Sequence, residues 1–253
     1  MSTRSERRRE AQGKGSGSNM TRIYAILGAL AVVGVGAVGY SVGRGSGSAA
    51  TQPVVIEGID EDMARLAEMA QGETKGDEDA PVTIIEFGDY MCPGCGMFNT
   101  QVKPQIELQL VQTGKAQFVF YDFPLTGMHP NSFLAARAAR CAGDQGMFWE
   151  YHDNLFRNQA RWSNLTNPIG LFEEYSRTLD MDDNAFSSCL NSDRHAELVT
   201  ANMHLGEALR VPSTPTVLIE YEGAAQQVEP DFQSIQSHVE GLLAEADSEP
   251  DAQ

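Results

Sequence analysis

Basic residues are scarce in this 253-residue sequence, which has 18 lysines and arginines against 35 aspartates and glutamates and a formal net charge of −17. A negative field of this strength repels phosphate groups. The composition therefore argues against nucleic acid and anionic lipid as partners. The excess charge is typical of a solvated, soluble surface.

Histidine is also scarce, and none of the five shows a tight ligand spacing: His129, His152, His195, His204 and His238. His152 shares an aromatic stripe of helical spacing with Phe148 and Phe156, so we interpret it as a satisfied core or boundary histidine. We expect no resident metal and no cofactor. No internal repeat is visible, and a chain of this length buries one substantial core, which predicts a single folded domain.

The charge is distributed unevenly along the chain. Residues 1–22 carry a local charge of +4, which leaves −21 for everything downstream. Residues 23–42 are a run of 20 residues without a charge, which as a helix spans about 30 Å, enough to cross a bilayer. Because basic flanks stay in the cytoplasm, we expect a single-pass anchor with the acidic domain exported, periplasmic or external. A cleaved signal peptide is the alternative, with small residues at 48–50 as its cleavage point.

Composition divides the chain into a basic cytoplasmic tail (1–22), the anchor (23–42), a linker with a short amphipathic helix (43–71), a folded domain (72–245) and an acidic disordered tail (246–253). Within the folded domain, residues 131–209 show a nearly continuous helical pattern. We interpret that stretch as a helical insertion.

Strand patterns lie on both sides of this insertion. After a polar, turn-rich stretch at 72–81, residues 82–87 form a β-branched run, and residues 117–123 form a second one. The pattern between them is helical to about residue 113, with a kink expected at Pro104. Strand, helix and strand in this order predict parallel strands. A late strand at 215–221, a returning strand at 226–228 and a closing helix at 232–243 complete an α/β domain.

Cys92 and Cys95 form a CxxC motif at the point where the first predicted strand ends and the following helix begins. A CxxC alone serves either redox chemistry or metal binding. With Cys92 at the N-cap and Pro93 at the first helical position, the two Cα atoms are separated by about 5 Å, which is within disulfide range. The helix N-terminus favours a thiolate. We therefore predict Cys92 as the attacking and leaving sulfur and Cys95 as the sheltered resolving partner.

Glu86 lies in the first strand on the same face as Val82 and Ile84. In a sheet that is covered on both sides, this carboxyl is buried, which raises its pKa and lets it exchange protons with a nearby buried thiol. The alternative is that Glu86 lies at the end of the strand and reaches water.

Thr214 and Pro215 immediately precede the late strand. If the bond between them is cis, the Thr214 backbone can face the disulfide and hold a substrate segment in strand-like pairing. A trans, structural proline is the alternative.

Two further cysteines, Cys141 and Cys189, lie 48 residues apart in the insertion. In an oxidising compartment they are most simply a structural disulfide. A second redox pair and free buried thiols are the alternatives.

Three segments together resemble the DsbA-like thioredoxin family: APVTIIEFGDYMCPGC at 80–95, RCAGDQGMFWEYHD at 140–153 and VPSTPT at 211–216. The resemblance covers residues 72–245 and implies a thioredoxin-like fold with a helical insertion, here preceded by one N-terminal transmembrane helix. It implies that Cys92 is the nucleophile, Glu86 the buried acid and Pro215 a cis-proline. It also implies that Cys141 and Cys189 form a second, structural disulfide. The sequence departs from the best-known member at Gly94, where a histidine would lie, and at Thr214, where an apolar residue would lie; both departures leave the oxidising strength open.

These features predict an extracytoplasmic protein thiol-disulfide oxidoreductase. The leading hypothesis is a dithiol oxidase that acts on reduced or misoxidised exported proteins through a Cys92 mixed disulfide and is reoxidised by a membrane partner of DsbB or VKOR type. A reductase or isomerase is the alternative of the same class. From another class, a Cu(I)-binding protein would use the soft ligands Met91, Cys92, Cys95 and Met97.

Overall fold

A five-stranded sheet organises the part of the chain that this computed structural model describes, residues 50–248. Its strands are β1 (Glu73–Lys75), β2 (Val82–Gly88), β3 (Ala116–Asp122), β4 (Thr216–Tyr221) and β5 (Ala224–Val228). They lie in the order β1-β3-β2-β4-β5, and β2 and β3 are parallel as predicted, whereas the other neighbours are antiparallel. The strand that precedes the CxxC motif is therefore the central one.

The α-helical segments in this part of the chain are α1 (Met63–Met69), α2 (Pro93–Met97), α3 (Lys103–Ile106), α4 (Ser132–Gly143), α5 (Phe148–Arg157), α6 (Gln159–Trp162), α7 (Ile169–Thr178), α8 (Asp183–Leu190), α9 (Ala196–Ala208) and α10 (Phe232–Ser248). The segments α4 to α9 form the predicted helical insertion between β3 and β4. The mixed α/β, thioredoxin-like architecture is confirmed.

The chain between β2 and β3 is helical but irregular. Segments α2 and α3 alternate with π-helical turns at Phe98–Val102 and Glu107–Val111. Pro104 lies within α3, where it offers no N–H to the helical ladder. Just before it, the Lys103 N–H bonds to the Phe98 carbonyl, five residues back. The π-helical turns on both sides of α3 allow the helix to continue beyond Pro104.

The core of the insertion is aromatic around His152, which is completely buried. Its Nδ1 lies 2.9 Å from the Tyr90 hydroxyl, and its Nε2 lies 2.8 Å from the Asn99 side-chain amide. Burial, together with nearby cations, lowers the pKa of His152 well below its usual value, so the ring is neutral. The interpretation of His152 as a satisfied core histidine is confirmed.

The two tryptophans tie different parts of the insertion in place. Trp149 in α5 donates its indole N–H to the Thr74 carbonyl of β1 at 3.1 Å, which fastens α5 to the edge of the sheet. Trp162 at the end of α6 is completely buried and donates to the Leu155 carbonyl at 2.9 Å. The corner between α5 and α6 is therefore anchored inside the insertion.

The structure corrects two of the predictions. Residues 72–81 contain β1, a strand of three polar, half-buried residues that is too short to show an alternating pattern. The last helix runs to Ser248, three residues into the predicted disordered tail, because Ala244, Glu245 and Ala246 favour helix and no proline intervenes.

The predicted cytoplasmic tail (1–22), the anchor (23–42) and the end of the acidic tail lie outside the described residues. Between residues 50 and 248, no helix has the length and apolar character needed to cross a membrane.

Candidate active site

The two cysteines of the motif lie where β2 ends and the segmented helix begins. The turn closes with a hydrogen bond from the Cys92 N–H to the Asp89 carbonyl at 3.0 Å. Cys92 is the N-cap of α2, with φ −67° and ψ 122°, and Pro93 takes the first helical position as predicted. Both cysteines are free thiols in this structure; Cys92 is 9% exposed and Cys95 is completely buried.

The surroundings of Cys92 favour its thiolate. A hydrogen bond from the Cys95 thiol is the main cause that lowers the pKa of Cys92 to about 5, and partial burial opposes it. The Thr214 side chain and the backbone N–H groups of Cys95 and Gly94 lower this pKa further. A thiolate at a helix N-terminus is both a ready nucleophile and a good leaving group.

Cys95 has the opposite character. Burial is the main cause that raises the pKa of Cys95 well above the usual thiol value, and the hydrogen bond to Cys92 and the charges of Glu86 and Cys92 raise it further. Only the Asp89 N–H, 3.4 Å from the Cys95 sulfur, acts in the other direction. The pair is therefore strongly asymmetric, with an ionised outer sulfur and a neutral inner one.

Glu86 is completely buried in the middle of β2, and neither of its carboxylate oxygens has a hydrogen-bond partner. Burial raises the pKa of Glu86 to about 8, although the charge of Lys103 lowers it; the charge of Cys92 adds to the increase. A carboxyl in this state is mostly protonated at neutral pH. It can therefore supply or accept one proton inside the site.

Gly88 leaves room for this carboxyl. A Cβ atom at position 88 would lie 2.4 Å from the Phe120 ring and 3.0 Å from Glu86 Oε1. Any side chain at position 88 would press on the buried Glu86 carboxyl and on the Phe120 ring of β3.

The bond between Thr214 and Pro215 is cis. The Cys92 sulfur lies 3.2 Å from the Thr214 carbonyl oxygen, which accepts the thiol hydrogen when Cys92 is protonated, and the Thr214 hydroxyl is buried without a partner in that form. A Cβ atom at Gly94 would lie 3.2 Å from Pro215 Cδ and 3.6 Å from the Cys92 sulfur. The Pro215 ring thus lies against the turn that carries Cys92, and a side chain at position 94 would crowd this contact.

The structure joins Cys141 in α4 to Cys189 in α8 in a disulfide, with their Cα atoms 5.8 Å apart. His195 is close to both sulfurs, and these three side chains form the one group of at least three potential metal ligands with metal-binding dimensions among residues 50–248. Because the two sulfurs are bonded to each other, they have no thiolate to offer a metal.

The soft-ligand set proposed for Cu(I) is dispersed in part. The Met97 side chain is 60% exposed, and the Met91 sulfur already accepts a hydrogen bond from the Asn131 N–H at 3.3 Å. Within the described part of the chain, Cys92 and Cys95 are the only members of that set that are joined to each other by a side-chain hydrogen bond.

Two residues near the cysteines were not predicted from the sequence. Asp89 is buried; its Oδ1 accepts the Met91 N–H at 2.7 Å, and its Oδ2 accepts the Leu125 N–H and contacts His129 Nδ1, both at 2.7 Å. The bond to the residue two positions on is an Asx turn, which an aspartate after a strand could have signalled. The other residue, Gln159, donates to two carbonyls of the Cys92 turn. No local pattern identifies it.

Comparison with known proteins agrees with this geometry. A family model described as "Thioredoxin" matches residues 69–236. The Na(+)/H(+) antiporter NhaA 1 of Salinispora arenicola is 34% identical over 165 residues, which are 65% of this chain and 24% of that protein. Disulfide bond formation protein D of Bacillus subtilis is 30% identical over 147 residues, which are 57% of this chain and 65% of that protein.

Among solved structures, oxidised BdbD from Bacillus subtilis superimposes with a TM-score of 0.60 at 26% identity and covers 69% of this chain and 97% of the other. By contrast, this chain spans only about a quarter of the length of the Salinispora arenicola antiporter that it matches.

Proposed function

The chain belongs to the thioredoxin family, and on that premise we propose that it is an extracytoplasmic protein thiol-disulfide oxidoreductase that works as a dithiol oxidase. The observation that carries this proposal is the asymmetry of the cysteine pair, with the pKa of Cys92 lowered to about 5 and that of the buried Cys95 raised. A stabilised Cys92 thiolate favours the dithiol form of the protein, which makes the corresponding disulfide a strong oxidant.

The reaction begins from the Cys92-Cys95 disulfide. A substrate thiolate attacks the Cys92 sulfur, the bond between Cys92 and Cys95 breaks, and Cys95 leaves with the electron pair. The product is a mixed disulfide between substrate and Cys92. A second substrate thiolate then attacks the substrate sulfur of the mixed disulfide and releases Cys92 as a thiolate. Two electrons pass from the substrate dithiol to the protein, and the substrate leaves with a disulfide.

Glu86 serves the first step as a proton donor. The departing Cys95 sulfur is buried, and an unneutralised thiolate there is unfavourable. Glu86 is protonated at neutral pH because burial raises its pKa to about 8, so it can deliver a proton to Cys95. The reverse transfer prepares Cys95 for reoxidation.

Thr214 and Pro215 form the surface that receives the substrate. The Thr214 carbonyl oxygen is 3.2 Å from the reactive sulfur, and in the mixed disulfide the Cys92 sulfur carries no hydrogen that could occupy this acceptor. A substrate segment that runs beside Thr214 in an extended conformation can then donate a backbone N–H to this carbonyl. Substrate recognition in this form depends on main-chain groups, so it suits many unrelated polypeptides.

For the location, we propose a single-pass anchor at residues 23–42 with the folded domain outside the cytoplasm. The uncharged run and its basic flank support this assignment. The substrates are then reduced or misoxidised exported proteins, and reoxidation is assigned to a membrane partner of DsbB or VKOR type. The name of the Bacillus subtilis relative, a disulfide bond formation protein, is consistent with this direction.

The deciding experiment is the redox equilibrium of the full chain with glutathione buffers, measured by alkylation of thiols. A reduction potential of about −120 mV supports the oxidase, and one of about −270 mV identifies a reductase instead. A Cys92→Ala variant is the control, since it should oxidise no reduced substrate peptide. If the wild type exchanges no disulfide but binds Cu(I) in stoichiometric amounts, the oxidoreductase proposal is wrong.

A further inference from the structure

Gln159 extends from the insertion to the turn that carries the reactive cysteine. Its Nε2 donates one hydrogen bond to the Tyr90 carbonyl at 2.8 Å and another to the Cys92 carbonyl at 2.9 Å. The two carbonyls flank Met91, so both hydrogens of one amide group hold the same three-residue turn. Such a bidentate contact fixes orientation as well as distance.

The position of Gln159 is itself well determined. It is the first residue of α6, directly after Asn158, whose side chain donates to the Asn154 carbonyl at 3.0 Å. Three residues on, Trp162 is completely buried and bonded to the α5 backbone. The amide is therefore presented by an anchored corner and not by a free loop.

Gly96 gives Gln159 the space to reach this turn. A Cβ atom at position 96 would lie 3.1 Å from Gln159 Oε1 and 3.4 Å from its Nε2. The Gly96 N–H also donates to the Cys92 carbonyl at 3.0 Å, as the first hydrogen bond of the helix. The Cys92 carbonyl is thus held from two directions, by the helix and by the insertion.

We propose that Gln159 is a positioning residue of the redox site, which fixes the Cys92 carbonyl and thereby keeps the N–H groups of Gly94 and Cys95 directed at the Cys92 sulfur. The carbonyl and these N–H groups belong to consecutive peptide units, so the orientation of the first limits that of the others. The inference rests on the proposed redox role of Cys92. It assigns to the helical insertion a part in setting the reactivity of the thiol.

The test replaces Gln159 with methionine, which has a similar length but no N–H donor. The pKa of Cys92 in the reduced full chain is read from the ultraviolet absorbance of the thiolate, with Cys92→Ser as the blank. We expect this pKa to rise, and the equilibrium constant with glutathione to shift about three- to tenfold toward a weaker oxidant, as for the loss of one or two hydrogen bonds.

The matched control is Gln145→Met. Gln145 also lies in the insertion and also makes two backbone contacts, both to Asp182, at 3.2 and 2.8 Å. Its loss should lower stability by a similar amount and leave the pKa of Cys92 unchanged. A Cys92 pKa that is the same in wild type and Gln159→Met overturns the inference, as does an equal shift in both variants.

A double-mutant cycle with Gly96→Ala tests whether Gln159 acts on Cys92 through its contact with the cysteine turn. The added methyl group presses on the Gln159 amide, so Gly96→Ala alone should shift the pKa of Cys92 in the same direction. In a Gln159→Ala background the amide is absent, and the Gly96→Ala shift should vanish. An undiminished shift there refutes the positioning role. Disulfide exchange by the wild type is scored separately, so a failure of the oxidoreductase proposal and a failure of this inference give different results.

Discussion

The Cys92 thiol and the Thr214 carbonyl are 3.2 Å apart although 122 residues separate them in the sequence. The contact follows from the sheet: β2 and β4 are antiparallel neighbours, and Phe87 near the end of β2 lies opposite Thr216 at the start of β4. The turn after one strand and the loop before the other therefore meet at the same edge. Strand register thus determines which backbone group faces the reactive sulfur.

Thr214→Val tests the contribution of the Thr214 side chain to this contact. The hydroxyl is buried without a partner in the dithiol form, so it is available to the thiolate, and its loss should raise the pKa of Cys92. The disulfide should become a weaker oxidant, by about two- to tenfold in the glutathione equilibrium. Ser213→Ala is the control, because the Ser213 side chain is exposed. An unchanged equilibrium in Thr214→Val would show that the hydroxyl takes no part.

The ionisation of Cys92 should make the stability of the reduced protein depend on pH. The pKa of Cys92 is lowered to about 5 from the ordinary thiol value of 9.0. The lowered pKa adds stability that is complete above pH 9.0 and is lost progressively as the pH falls from there to about 5. Denaturant unfolding of reduced wild type between about pH 4 and 8 should show that loss. Reduced Cys92→Ser should not show this part of the pH dependence, and parallel curves for the two proteins would contradict the shift.

Glu86 should act on stability in the opposite direction. Its pKa rises from 4.5 to about 8 on burial, so the folded state holds a proton that the unfolded state releases. The contribution of Glu86 to the free energy of unfolding is complete below pH 4.5 and is lost as the pH rises to about 8. Glu86→Gln removes this loss and should be more stable than wild type at pH 8, by on the order of 4 kcal/mol, with little difference at low pH.

The same variant should be a slower oxidant, because glutamine delivers no proton to the leaving Cys95 sulfur. Stopped-flow oxidation of a reduced peptide measures this rate. Glu78→Gln, at an exposed carboxyl before β2, is the control and should change neither property. A Glu86→Gln enzyme with the wild-type rate across the pH range would exclude Glu86 as the proton donor.

Removal of the Cys141-Cys189 disulfide should affect stability alone. The bond closes a loop of 48 residues, and replacing both cysteines with alanine should lower the free energy of unfolding by about 4 kcal/mol. Cys141 and Cys189 lie in the insertion helices α4 and α8 and not in the turn that carries Cys92, so the glutathione equilibrium of the Cys92-Cys95 pair should not move. A shifted equilibrium would favour the second redox pair over a structural bond.

Much of the site could be predicted because it obeys local rules. Alternation along β2 predicts the burial of Glu86, and a proline after Cys92 predicts the helix start. Each rule needs only a few neighbouring residues. The short strand β1 escaped prediction because three half-buried residues carry no period, and it forms through pairing with β3.

Gln159 could not be predicted for a different reason. It lies 67 residues from Cys92, and its role depends on how the insertion folds back over the turn. Asp89 is an intermediate case. Its bond to Met91 is local, whereas its bonds to Leu125 and His129 require the loop after β3 to be in place.

The placement of the two tryptophans determines what an optical measurement on this protein observes. Trp149 is bonded to β1, so its emission follows the docking of α5 on the sheet edge. Trp162 lies at the corner that presents Gln159, so its emission follows the internal order of the insertion. Single-tryptophan variants would therefore separate two events in one unfolding curve: detachment of the insertion from the sheet, and loss of the corner that faces the reactive cysteine.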